Sequence, residues 1–120
     1  TNPIDMLKKY LEDYVNGPAA RTYTSFKSGS VLEDEEFYYF DYDKFYEEIK
    51  RNEWNKDRPR TGTLIKVHFK GEFGFQKRFP KGESEKSYPP VRCLKIPIKD
   101  LKREEIPDEK VQIENKEDIV

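Results

Sequence analysis

Arg58, Arg60, Thr61, Thr63, Lys66 and Lys70 fall within one short stretch of the chain. Cations interleaved with hydroxyls are the groups that hold phosphate. A guanidinium grips two oxygens or a guanine edge at once, and an ammonium acts as a point charge. A helix beginning there adds backbone N–H groups and the positive end of its dipole. Lys77, Arg78, Lys81 and Lys86 form a second basic group a little further on. Residue types alone leave a second explanation open for both groups, because a solvated helix start and a solvated loop have the same composition.

Other chemistries find less support. His68 is the single histidine, and no second His or Cys stands at metal-ligand spacing from it. Paired carboxylates bind hard cations, so Glu33-Asp34-Glu35-Glu36 could hold magnesium, but such a run also makes a solvated bend. Glu83 and Glu85 beside Lys86 sit in a polar loop that cannot preorganise a metal. Ser84, Ser87 and Cys93 have no base partner that would make them nucleophiles. Phe73, Phe75 and Phe79 could stack on bases, although aromatics sharing one strand face more often form a core. No catalytic residue, cofactor or metal is expected, and the chain reads as a binding module rather than an enzyme.

The charge distribution sharpens that reading. The formal net charge is −1, with 39% charged and 34% hydrophobic residues. Residues 1–55 hold seven Lys/Arg against twelve Asp/Glu, residues 56–102 hold thirteen against five, and residues 103–120 hold three against seven. A basic middle between acidic flanks is what a localised anion-binding face produces. Aromatics at 14% provide the bulk for a small core. No apolar run approaches the roughly 18–20 residues of a membrane span, and no signal-peptide pattern opens the chain. With one cysteine, a reducing, cytoplasmic setting is expected.

The elements that must position these groups follow from periodicity and punctuation. Asn2, Pro3 and Asp5 start a helix whose apolar residues are Ile4, Leu7, Tyr10, Leu11, Tyr14 and Val15, and Gly17-Pro18 stops it. Residues 20–40 read as an extended pair, Arg21–Phe26 and Phe37–Phe40, joined through a Lys27–Ser30 turn and the acidic run. A second helix follows the Asp41-Tyr42-Asp43 cap, with Phe45, Tyr46 and Ile49 inward, and Trp54 packs back on it. Thr63–Lys70 alternates like a strand, yet Thr61 could cap a helix and Gly71 stop one, with Leu64, Ile65, His68 and Phe69 on its apolar face. Residues 73–97 read as a long-looped basic hairpin, and 103–120 as an acidic, unfolded tail beyond a domain of residues 1–102.

Helix, extended pair, helix, helix and hairpin, in that order, is an α+β arrangement matching a winged helix-turn-helix with three helices and a C-terminal β-hairpin wing. This context selects the helix over the strand for the ambiguous stretch, because a helix-turn-helix needs its recognition helix there. The stretch Arg21–Ser30, the Arg58-Pro59-Arg60-Thr61-Gly62-Thr63 lead and the closing Arg92-Cys93-Leu94-Lys95-Ile96-Pro97 strand are the more specific features. Together they resemble the winged-helix domains appended to primase and helicase proteins of archaeal plasmids and viruses. The resemblance implies a nucleic-acid-binding accessory module, with duplex DNA ahead of single strands and a replication protein as parent or partner. A winged helix that docks an acidic protein, or a small viral or plasmid-encoded inhibitor, is the alternative.

Overall fold

The computed structural model describes residues 2–80 and 87–102. Helix α1 (Pro3–Val15) begins where its signals stand: the Asn2 side chain accepts from the Ile4 N–H at 2.7 Å, with Pro3 in the first turn. Leu7, Leu11 and Val15 form its buried stripe. The next segment departs from the expected strand. Residues Tyr23–Lys27 form a short helix, α2, because Thr22 and Ser25 make a reciprocal capping box. Local hydrogen bonding by Thr and Ser thus overrides the β-propensity of Arg21–Phe26.

Strands β1 (Leu32–Glu33) and β2 (Phe37–Phe40) close around the acidic run. Asp34 shapes that bend, its carboxylate accepting from the Glu36 and Phe37 N–H groups at 2.8 Å each and from the Tyr39 hydroxyl at 2.7 Å. The Tyr39 hydrogen bond holds the Asp34 carboxyl below its ordinary pKa. Helix α3 (Tyr42–Arg51) is capped by Asp41 and buries Phe45, Tyr46 and Ile49. Helix α4 (Arg58–Phe69) follows, then strands β3 (Glu72–Lys77) and β4 (Val91–Pro97) and the short helix α5 (Lys99–Lys102). The ambiguous stretch is therefore helical and the segment after it a hairpin. The inferred tail, residues 103–120, and residues 81–86 of the hairpin loop lie outside the described residues.

All four strands form one antiparallel sheet in the order β1-β2-β4-β3. Its inner face presents Tyr38, Phe40, Leu94 and Ile96 to the apolar sides of α1, α3 and α4, and Leu101 of α5 joins the same cluster. On the outer face Tyr39 and Cys93 pack with Phe26 of α2, with Phe37, Phe75 and Phe79 half-buried beside them. Phe73 and Phe75 do not share a face. A register shift between Glu72 and Phe75, with Gly74 at φ 78°, inserts an extra residue. Phe73 therefore joins the inner cluster against Tyr42, while Phe75 goes to the outer one. Cys93 is buried, and that burial pushes its thiol up to about 11, so it stays a protonated, unreactive packing group.

The hand-over from α4 to β3 is tight. A Cβ on Gly71 would stand 2.6 Å from Ile65 Cγ2 and 3.1 Å from Leu94 Cδ1, both on fully buried side chains. Gly71→Ala should lower stability by ~1–3 kcal/mol, the usual range for overpacking a core, as read by urea unfolding. An unchanged unfolding midpoint would show that the α4–β4 contact is looser than described.

Candidate nucleic-acid interface

Helix α4 is positioned by the turn that precedes it. Helix α3 ends in a paired C-terminal motif: the Glu53 N–H donates to Lys50 O and the Trp54 N–H to Ile49 O, with Glu53 left-handed at φ 73°. This arrangement turns Trp54 inward, where it is 5% exposed. Four aromatic side chains then fix the turn through their polar tips. Tyr10 donates to Asn52 O at 2.7 Å, Tyr46 to Lys56 O at 2.8 Å and Tyr42 to Arg58 O at 2.6 Å. Trp54 Nε1 donates to Thr61 Oγ1 at 2.7 Å, and that hydroxyl donates onward to Asp57 O at 2.8 Å. Burial pushes the Tyr42 phenol up to about 12, so it remains a donor at ordinary pH.

This network revises the roles of the sequence-inferred residues. Thr61 is not the cap and cannot touch a ligand, because it is fully buried within the network. The cap is Asp57, whose carboxylate accepts from the Arg60 N–H at 2.8 Å. With Pro59 lacking an N–H and Asp57 adding a negative charge, the start of α4 is not an open phosphate cradle. Arg58 points back toward α3. Its guanidinium bonds Asp43 Oδ1 at 2.6 Å and lies 5.0 Å from the centre of the Tyr46 ring. The side chain stays exposed, but its charge is already paired with that carboxylate.

Arg60, Thr63, Lys66 and Lys70 are all exposed. Arg60, Thr63, Val67 and Lys70 recur at steps of three and four and so share one face, with Lys66 on its flank. That face lies away from the buried stripe of Thr61, Ile65 and Phe69, and the helix contains no Asp or Glu. His68, expected on the apolar face, is exposed on an adjoining side. Lys70 caps the helix in a left-handed conformation, φ 60°, which an L-residue other than Asn or Asp seldom adopts.

The hairpin residues divide. Arg78 is exposed. Lys77 is half-buried on the outer sheet face, its Nζ 4.6 Å from the centre of the Tyr39 ring, so it is not a free wing cation. Lys81 and Lys86 lie outside the described residues. On β4, Lys95 turns to the outer face and rests between Phe37 and Phe75, 4.1 and 4.3 Å from their ring centres. Arg92 takes the other face, its guanidinium against Gly74 in a groove of about 360 Å3 that Asp41 and Asp43 also line. Two carboxylates make that groove a poor place for phosphate. The set that the structure gathers on the outward face of α4 is therefore Arg60, Thr63, Lys66 and Lys70, with Val67 among them. Sequence inspection weighted charge and passed over Val67, whose exposure depends on which side of α4 is buried.

No family model matches the chain, and no curated protein or solved structure does either. Among the described residues no helix is long and apolar enough to cross a membrane, and no group of His, Cys, Asp or Glu is placed to hold a metal ion.

The Trp54–Thr61 bond gives the clamp a direct test. Thr61→Val leaves a buried indole N–H without its acceptor and should lower stability by ~1–3 kcal/mol. A double-mutant cycle with Trp54→Phe should return a coupling energy of ~0.5–3 kcal/mol. Strictly additive effects would mean that the bond does not hold the turn.

Proposed function

We propose that the chain is a winged-helix module that binds nucleic acid, duplex DNA before single strands, through the outward face of α4 and the adjoining hairpin. The observation that carries the reading is the composition of that face: Arg60, Lys66 and Lys70 exposed, with no carboxylate anywhere on the helix. The element order supports it. A strand (β2) precedes the second long helix, two long helices meet at a braced turn, and a hairpin follows whose strand β4 pairs with β2. In this fold the third long helix enters the major groove and the hairpin reaches the flanking backbone. The module acts by binding and carries out no reaction. Its resemblance to domains of plasmid and viral replication proteins suggests a primase or helicase as the parent or partner, in an intracellular setting.

Lys70 adds a second argument. Glycine takes a left-handed position at lower cost, so a lysine there gives up stability for a cation at the end of the face. The closed start of α4 favours a specific version of the reading, in which phosphate is held along the helix flank and not at its amino end.

The test is a titration of labelled duplex at two salt concentrations. Nonspecific affinity should be on the order of 10⁻⁴–10⁻⁶ M at physiological salt and fall steeply as salt rises. Arg60→Ala, Lys66→Ala and Lys70→Gly together should weaken binding at least tenfold (~1.4 kcal/mol) and flatten the salt dependence. Lys70→Gly alone should weaken binding while leaving stability unchanged or higher by up to ~1 kcal/mol. Absence of binding to any duplex or single strand at low salt would overturn the reading in favour of an acidic protein partner.

A further inference from the structure

Val67 is 58% exposed, and the other large apolar residue exposed among the described ones, Tyr88, is stacked on Tyr23 at 4.2 Å between ring centres. Val67 is neither stacked nor packed. It stands in the last turn of α4, where its branched Cβ is disfavoured and where little burial compensates. Its neighbours on the face are Thr63 one turn before it and Lys70 almost one turn after, with Lys66 beside it and Arg60 two turns before. The Thr63 hydroxyl donates to Pro59 O at 3.1 Å. That bond commits its hydrogen to the helix and leaves its lone pairs and its methyl for a ligand.

We propose that Val67 reads thymine, packing against the 5-methyl group in the major groove, with Thr63 beside it at the base edges and Arg60, Lys66 and Lys70 on the flanking phosphates. The inference rests on the nucleic-acid reading and names what that face selects. An apolar side chain between Lys66 and Lys70 on an exposed helix face matches a duplex groove, where the phosphates lie at the margins and the thymine methyl is the apolar group on the floor. The absence of carboxylates on α4 leaves the whole face complementary to that polyanion. Each methyl buried in this way changes affinity by about three- to fourfold, from the usual value of about 0.8 kcal/mol per apolar carbon.

The experiment uses the full chain to enrich bound sequences from a random duplex pool. The enriched duplex is then measured with each dT replaced in turn by deoxyuridine, which removes only the methyl. Wild-type protein should lose about three- to fourfold at one or two positions. Val67→Ala, which is exposed and gains helix propensity, should fold normally and lose that sensitivity, whereas Lys66→Ala should weaken binding but keep it. Enrichment without sensitivity to the methyl, or equal sensitivity in Val67→Ala, overturns the inference. Binding without any enriched sequence also overturns it and leaves the nucleic-acid reading standing. No binding to any duplex overturns the inference, and no binding to single strands either overturns the nucleic-acid reading with it.

Discussion

A single buried hydrogen bond, from the Trp54 indole to the Thr61 hydroxyl, joins the end of α3 to the first turn of α4. Both partners are nearly or fully inaccessible to water, so neither can exchange the bond for a solvent contact without opening the domain. Three tyrosine hydroxyls reinforce it by capturing the carbonyls of Asn52, Lys56 and Arg58. The turn between α3 and α4 is thus held by aromatic side chains whose rings belong to the core. This gives these aromatics a structural purpose: each ring packs on the core while its polar tip fixes the turn.

The consequence for the surface is geometric. Once the turn is fixed, Ile65 and Phe69 face the sheet and Arg60, Thr63, Val67 and Lys70 must face solvent. No acidic residue lies within α4 itself. Asp43 pairs with Arg58, Asp57 caps α4, and Asp34 shapes the β1–β2 bend. Near-zero net charge is therefore compatible with one helix face that carries cations and no carboxylate. The outer sheet face is different in kind: Lys77 and Lys95 lie over Tyr39, Phe37 and Phe75, so their cations are engaged with rings.

Much of this architecture was legible in the chain. The signals for α1 and α3 are strong and local, and 58–69 is helical, as expected, where propensity was split. The failures have physical causes. Arg21–Phe26 looks extended because its residue types favour strands, but Thr22 and Ser25 are also a capping box, and the local bonds prevailed. Asp57 and Thr61 are both good caps, and only the position of Trp54 sends Thr61 inward. Arg58 resembles Arg60 in sequence, yet its partner Asp43 is brought to it by the fold alone. The bulge at Gly74 puts Phe73 and Phe75 on opposite faces, which strict alternation cannot foresee.

The central claim is that the outward face of α4, held by the clamp, is the surface that meets nucleic acid. Its most direct test is backbone amide NMR of the labelled chain titrated with a short duplex at low salt. The account predicts the largest shift changes at Arg60, Thr63, Lys66, Val67 and Lys70, smaller ones at Arg78, and none beyond noise at Phe37, Tyr39 and Lys95. Changes centred on the outer sheet face, with α4 silent, would contradict it.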